Sequence, residues 1–213
     1  MDGIVNPKVT DYIQKLGGFP ELQAMEDYAR ANYIPIVLKD AARLLAFQVA
    51  QTKPERILEL GTAIGYSAIL MALYSEAGIV TIEREEDMKT QAEENIRFYH
   101  LEKRIKVVLS DCVAYLKNTE ESFDFIFMDA GKSHYREYFD LSLPILRKGG
   151  MILCDNVLYK GLVVNETAER KHRTNVVKLQ EFLAYIHSRD DLMVSLLSVG
   201  DGMLLIRRKD TNE

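Results

Sequence analysis

Three side chains that follow two short apolar runs carry the chemistry most open to reading. Phe123–Met128 is closed by Asp129, and Met151–Cys154 is closed by Asp155 and Asn156. If the two runs are neighbouring parallel strands, Asp129, Asp155 and Asn156 offer three oxygen ligands around one point. A set of oxygens alone suits a hard cation such as magnesium, which keeps several waters that a substrate can displace. Asp-Asn also makes an ordinary turn, so the dipeptide by itself says little. Lys132 follows Asp129 by three residues. A lysine beside a divalent cation can lose its proton more easily and serve as a general base, although most lysines are solvated surface charges. His134 is a lesser candidate for proton transfer. Ser133 lacks a base and an orienting acid, and Cys112 and Cys154 are too few for a usual zinc cluster.

A second group precedes it: Glu59-Leu60-Gly61-Thr62-Ala63-Ile64-Gly65-Tyr66-Ser67. The loop lacks both the Lys-Ser/Thr ending of a phosphate-cradling loop and the G-x-G-x-x-G spacing that seats a pyrophosphate. Its glycines still let the backbone pass close to a ligand, and an acid before Gly61 favours a cation or a hydroxyl over a phosphate. Glu83 closes the second apolar run, where a carboxylate can take both hydroxyls of a ribose. Asp111 closes the third and can line an adenine pocket beside Cys112. A nucleoside that carries positive charge and no phosphate fits the set, which points to S-adenosylmethionine.

These residues need a scaffold, and the pattern supplies one. Ile57–Leu60, Ile79–Ile82, Ile105–Leu109, Phe123–Met128 and Met151–Cys154 alternate with helical stretches such as Glu86–Leu101. Such alternation predicts a parallel sheet covered on both faces. In open sheets of this kind ligands bind outside the carboxyl ends of the strands. Each run ends in an acid (Glu59, Glu83, Asp111, Asp129, Asp155), so five carboxylates converge on that edge. Asp caps helices routinely, which would account for one such acid more easily than for five. Leu192–Val199, Gly200-Asp201-Gly202 and Met203–Arg208 read as a terminal antiparallel hairpin. Glu21–Asn32 and Lys39–Gln51, punctuated by Pro20, Pro35 and Pro54, read as helices of an N-terminal cap over residues 1–54. The expectation is one domain over residues 1–213: an α/β, doubly wound, Rossmann-like core from residue 55, mostly parallel, with a C-terminal antiparallel hairpin.

Composition narrows the class. With 47% hydrophobic and 28% charged residues, the chain can bury a substantial core and is neither disordered nor low-complexity. The run Ala68–Tyr74 is far short of a membrane span, and residues 1–7 lack the pattern of a secretory leader. Two cysteines suit a reducing compartment, and a cytoplasmic protein with no membrane partner is expected. The net charge of -5 weighs against coating nucleic acid with the whole surface. The segment Lys160–Lys178 has a local excess of three positive charges, through Lys160, Arg170, Lys171, Arg173 and Lys178 against Glu166 and Glu169. A solvated face is the common fate of such a run; an anionic partner is the other.

The Gly61–Ser67 loop with its preceding Glu59, Asp129-Ala130-x-Lys132-x-x-Tyr135, Asp155-Asn156-Val157 and Val199-Gly200-Asp201-Gly202 together resemble the metal-dependent, catechol-type class of small O-methyltransferases. The match runs from about Ile34 to Arg208. Within that class the chain looks most like the bacterial tRNA 5-hydroxyuridine methyltransferases. The resemblance implies that Glu59, Gly61, Thr62, Gly65, Tyr66, Ser67, Glu83, Asp111, Cys112 and Asp129 hold S-adenosylmethionine, with Ile36 and Val37 closing over its methionine end. It implies that Asp129, Asp155 and Asn156 bind Mg2+ or another hard divalent cation, that Lys132 is the catalytic base, and that the enzyme is a cytoplasmic homodimer. Animal catechol members wall their pocket with tryptophan, which this chain lacks. Ala130-Gly131, where such members carry bulk, implies a wider mouth. The implied substrate is tRNA, with Lys160, Arg170, Lys171 and Arg173 on its phosphates; a small catechol or phenylpropanoid is the alternative. An adenosine-ligand sensor would need neither metal nor base, and a nicotinamide dehydrogenase is disfavoured by the loop spacing.

Overall fold

A computed structural model describes residues 7–16, 18–164 and 169–209. The helices are α1 (Pro7–Leu16), α2 (Gln23–Ala31), α3 (Lys39–Thr52), α4 (Tyr66–Leu73), α5 (Glu86–Phe98), α6 (Cys112–Asn118), α7 (Tyr135–Ser142) and α8 (Arg173–His187). The strands are β1 (Arg56–Leu60), β2 (Gly78–Glu83), β3 (Ile105–Leu109), β4 (Phe123–Met128), β5 (Leu146–Cys154), β6 (Leu192–Leu197) and β7 (Met203–Arg208). They form one sheet in the order β3-β2-β1-β4-β5-β7-β6, in which β7 alone runs against its neighbours. The order reverses between β1 and β4, the topological switch point at which a ligand crevice opens.

Period-two alternation sends the strand side chains to two cores. On one face Ile57, Ile79, Phe125, Phe127 and Leu153 pack with Leu45 and Val49 of α3 and Ile69 of α4. On the other, Leu58, Leu60, Ile126, Met128 and Ile152 meet Phe139 of α7 and Leu179 and Phe182 of α8. Burial on both faces is why these strands read as unbroken apolar runs. The predicted N-terminal helices are built into this sandwich: Ala41, Ala42, Leu45, Ala46 and Val49 of α3 are buried against the sheet side.

Two boundaries differ from the sequence reading for identifiable reasons. Strand β5 begins at Leu146, ahead of the expected Met151, across a register shift opposite Phe123 and Phe125. The irregular stretch carries Arg147, Lys148 and two glycines, which give no apolar signal. Strand β6 ends at Leu197, so a five-residue connection, Ser198–Gly202, replaces a tight hairpin turn. Gly202 has φ +91°, and a Cβ there would lie 2.8 Å from the backbone nitrogen of Leu158. Only glycine lets this connection lie against the loop after β5.

Candidate active site

The strand ends are tied to one another by backbone bonds, which fixes the edge on which the acids stand. The N–H groups of Gly61 and Thr62 donate to Ile82 O (3.1 and 3.2 Å), that of Asp129 to Leu60 O (3.0 Å), and that of Asp155 to Met128 O (3.0 Å). Gly61 has φ +102°, and a Cβ there would come within 2.7 Å of Asp129 O. The loop after β1 and the loop after β4 thus touch backbone to backbone, and glycine is the residue that permits it.

On the β1–β2 side, Glu83 is held by its neighbours. Its Oε2 accepts from Ala63 N–H (2.9 Å), and its Oε1 accepts from Arg84 and Glu85 N–H (2.9 and 3.0 Å). Glu59 lies deeper and is fully buried. Its Oε2 accepts from the Thr81 hydroxyl, which is paired in turn with that of Thr62 (2.5 Å). Its Oε1 has no aligned hydrogen-bond donor. Burial pushes the Glu59 carboxyl up to about 7, against the lowering effect of the Ser67 and Thr81 hydroxyls, and Glu83 raises it further. Ser67 is nearly buried, Val37 is buried and Ile36 half-buried. Gly65 (φ +82°) precedes α4, and a Cβ there would lie 3.4 Å from the Cβ of Ala92.

Two expected cofactor contacts have local duties. Asp111 caps α6: its Oδ1 accepts from Ala114 N–H at 3.1 Å. The side chain of Tyr66 turns away from the loop into the N-terminal helices, where its hydroxyl donates to Glu26 Oε1 at 3.0 Å. Cys112 is nearly buried, and burial, with Asp111 and Glu83 nearby, pushes its thiol up to about 12. A buried thiol held protonated is a poor nucleophile.

On the β4–β5 side, Asp155 is 1% exposed. Its Oδ1 accepts from Asn156 N–H (2.6 Å), while its buried Oδ2 has no partner. Burial first, and then the Asp129 charge, push the Asp155 carboxyl up to about 8; burial pushes Asp129 up to about 6, relieved by Lys132 and increased by Glu59. Asn156 is in the left-handed region (φ +54°), which asparagine tolerates, and its Oδ1 accepts from Lys132 Nζ at 2.8 Å. The residues present fit a cation. They are two crowded carboxylates, one oxygen of which is buried and unmatched, with a neutral amide beside them. The set is Asp, Asp and Asn; among the described residues no group of three or more His, Cys, Asp and Glu could hold a metal.

Sequence reasoning gave no role to three supporting residues, of which Asp201 and Tyr135 stood only as motif positions. Asp201 accepts from the backbone N–H of Lys160, and burial raises its carboxyl while Lys160 and Lys132 lower it. The Gly200-Asp201-Gly202 signal was legible as a turn, and nothing in it showed that the turn packs on the loop after β5 and on the start of α3. The buried Tyr135 hydroxyl donates to Asp155 O (2.8 Å) and lies 3.3 Å from Met128 O, bracing β4 against β5. Glu26 carried no signal at all. His134 is half-exposed beside Glu137 at 3.7 Å. Of the basic segment, Lys160, Arg170 and Arg173 are exposed, Lys171 pairs with Glu169 at 3.4 Å and Lys178 with Glu181 at 2.8 Å. Glu166 lies outside the described residues.

The strand order and the crevice over the β1–β4 switch point define a Rossmann-like methyltransferase sheet. The chain belongs to the O-methyltransferase family, whose model matches residues 21–209, and it is an S-adenosylmethionine-dependent O-methyltransferase. It is 32% identical to the flavonoid 3',5'-methyltransferase of Vitis vinifera over 72% of this chain and 70% of that one. It is 29% identical to the catechol O-methyltransferase of Niastella koreensis over 96% and 98% of the two chains. The SAH-bound methyltransferase PaMTH1 of Podospora anserina superposes with a TM-score of 0.86 at 28% identity, covering 99% of this chain and 97% of that one. No helix among the described residues is long and apolar enough to cross a membrane.

Proposed function

We propose that the protein methylates a hydroxyl with an oxygen on the adjacent carbon of a small phenolic substrate, with a divalent cation held by Asp129, Asp155 and Asn156. The observation that carries this reading is the unpartnered, buried Asp155 Oδ2 beside a second raised carboxylate. A buried carboxylate oxygen without a donor is costly unless a ligand completes it. Flavonoid and catechol enzymes among the relatives support a small phenol over tRNA. A hard cation held there by Asp129, Asp155 and Asn156 would act as a Lewis acid and lower the pKa of the substrate hydroxyl.

The chain's own residues do the rest. Glu83, pre-oriented by three backbone N–H groups, takes the ribose hydroxyls, and the Gly61–Ser67 loop carries the backbone close to the cofactor. Ile36 and Val37 shield its methionine end from water. Lys132 Nζ, held on Asn156 Oδ1, takes the proton of the substrate hydroxyl. The O–CH3 bond forms as the S–CH3 bond breaks, and S-adenosylhomocysteine leaves.

A tRNA substrate is the second reading, supported by the exposed Lys160, Arg170 and Arg173 on the chain that follows Asn156. Its 5-hydroxyuridine, with a 4-carbonyl beside the hydroxyl, offers the same pair of oxygens. Two measurements test the proposal. Asp155→Ala abolishes methyl transfer and keeps S-adenosylhomocysteine binding by calorimetry; lost binding with retained turnover sinks the assignment. Turnover of the wild type on a catechol exceeds that on tRNA bearing 5-hydroxyuridine, and the reverse ranking, with steep salt dependence, moves the substrate to tRNA.

A further inference from the structure

Residues Lys39 and Asp40 open α3 directly after the segment that carries Ile36 and Val37. Each is tied to a different segment of the chain. Lys39 Nζ lies 3.0 Å from Glu26 Oε2, off the line of an aligned hydrogen bond, and the other oxygen of Glu26 accepts from Tyr66 at 3.0 Å. Tyr66 is the first residue of α4, next to Gly65 of the cofactor loop. Asp40 Oδ2 accepts from Gly200 N–H at 2.9 Å, one residue before Asp201. Glu26 is 4% exposed on α2 and belongs to no part of the methyl-transfer chemistry.

A buried carboxylate is tolerated where its partners compensate it, and removing it leaves those partners unmatched. Here the partners come from the two segments that must stand at a fixed separation around the methionine end of the cofactor. Burial and the Glu26 carboxylate keep the Tyr66 hydroxyl protonated, so it stays a donor to Glu26 across the working pH range. Three side chains from three segments (α2, the start of α3, the start of α4) thus meet behind the proposed cofactor crevice.

We infer that Glu26 is a positioning residue that sets affinity for S-adenosylmethionine by joining the Ile36–Val37 segment to the glycine loop through Lys39 and Tyr66. The inference rests on the cofactor reading above. Its effect falls on binding and not on the chemical step, because neither Lys132 nor the Asp129–Asp155 pair touches the network.

The test measures S-adenosylhomocysteine binding by calorimetry, and the KM for S-adenosylmethionine with kcat, for Glu26→Gln, Tyr66→Phe, their double variant and Glu83→Ala. Thermal melts of each ligand-free protein accompany them, and Tyr66→Phe serves if Glu26→Gln folds poorly. Glu26→Gln and Tyr66→Phe each raise Kd and KM roughly five- to tenfold with kcat within about twofold. Glu26→Gln removes the charge facing Lys39 and Tyr66→Phe the hydroxyl facing the same carboxylate, so the double variant loses more than either single one and no more than their two losses combined. A purely structural role lowers the melting temperature and active fraction while leaving Kd and KM as they were, and that result overturns the inference. If Glu83→Ala weakens binding and Glu26→Gln does not, the inference fails and the cofactor reading stands. If neither variant changes Kd, the crevice itself is misassigned and both fall.

Discussion

Glu83 and Asp155 are both buried carboxylates at the carboxyl ends of parallel strands, and the fold treats them in opposite ways. Glu83 accepts three backbone N–H groups, shared between its two oxygens. Asp155 accepts one, from Asn156, and leaves its second oxygen buried with no partner beside Asp129. Glu83 is therefore matched by the chain alone, as suits a carboxylate proposed only to orient a cofactor. The β4–β5 half concentrates unrelieved charge, which suits a site completed by a cation. The effect of Asp129 on the raised Asp155 carboxyl is the electrostatic mark of that crowding.

The largest effect that can break this division is at Lys132. Lys132→Met is expected to lower kcat by about 10²–10⁴-fold, the usual worth of a positioned general base. The Kd for S-adenosylhomocysteine should stay within about twofold, because Lys132 is bonded to Asn156 and not to the β1–β2 residues. Single-turnover rates and calorimetry on the same preparation check both halves of the statement. A parallel loss of cofactor affinity means that the two halves are not separable.

Glu59 sharpens the comparison, because it is the one acid on the cofactor side that shares the unrelieved character of Asp155. Its folded carboxyl stands at about 7 against an ordinary value of 4.5, mainly through burial. The folded state then binds more protons at this group than the unfolded one between those values, so the contribution of Glu59 to stability is greatest below about pH 4.5 and falls as pH rises towards 7. Asp129 and Asp155 are raised too and push in the same direction. Glu59→Gln is expected to make the ligand-free protein more stable at pH 7.5 by roughly 2–3 kcal/mol, since each tenfold difference in proton affinity between the folded and unfolded states is worth about 1.4 kcal/mol. At pH 4 it should change little. Urea melts at the two pH values decide, and an equal change at both removes the ionisation from the explanation.

The scaffold was legible in the sequence because buried parallel strands write themselves as apolar runs. Ile105–Leu109 and Phe123–Met128 occupy the positions their pattern gave them. The convergence of Glu59, Glu83, Asp129 and Asp155 on one edge followed from where those runs stop. What stayed hidden depends on direction or on distant packing. Nothing local showed that the Tyr66 ring points to Glu26, that Asp111 spends an oxygen on capping α6, or that Gly202 lies against Leu158. The partners of Tyr66 and Gly202 lie tens of positions away, and a periodic pattern carries no record of them. The basic segment was visible as charge, but whether a charge is free or paired, as at Lys171 and Lys178, is decided only once the side chains meet.

The smallest expected effect concerns the brace beneath the charged half. The Tyr135 hydroxyl donates to Asp155 O and lies near Met128 O, the residues that carry the chain into Asp155 and Asp129. Met128 O already accepts from Asp155 N–H, so the two strand ends keep one bond when the hydroxyl is lost. Tyr135→Phe removes a single buried hydrogen bond and keeps the ring packed on Phe182, which costs about 1 kcal/mol of stability. Because the ring stays in place, the cofactor half should not respond, and S-adenosylhomocysteine binding should be unchanged. The β4–β5 half should respond in activity, since on the proposed reading Asp129 and Asp155 hold a cation together and a functional site needs its ligands held to within a fraction of an ångström. A fall of about threefold to tenfold in kcat, at unchanged cofactor affinity, is the expected outcome. If cofactor binding weakens and turnover at saturation does not, Tyr135 braces the wrong half and the division drawn from Glu83 and Asp155 is too sharp.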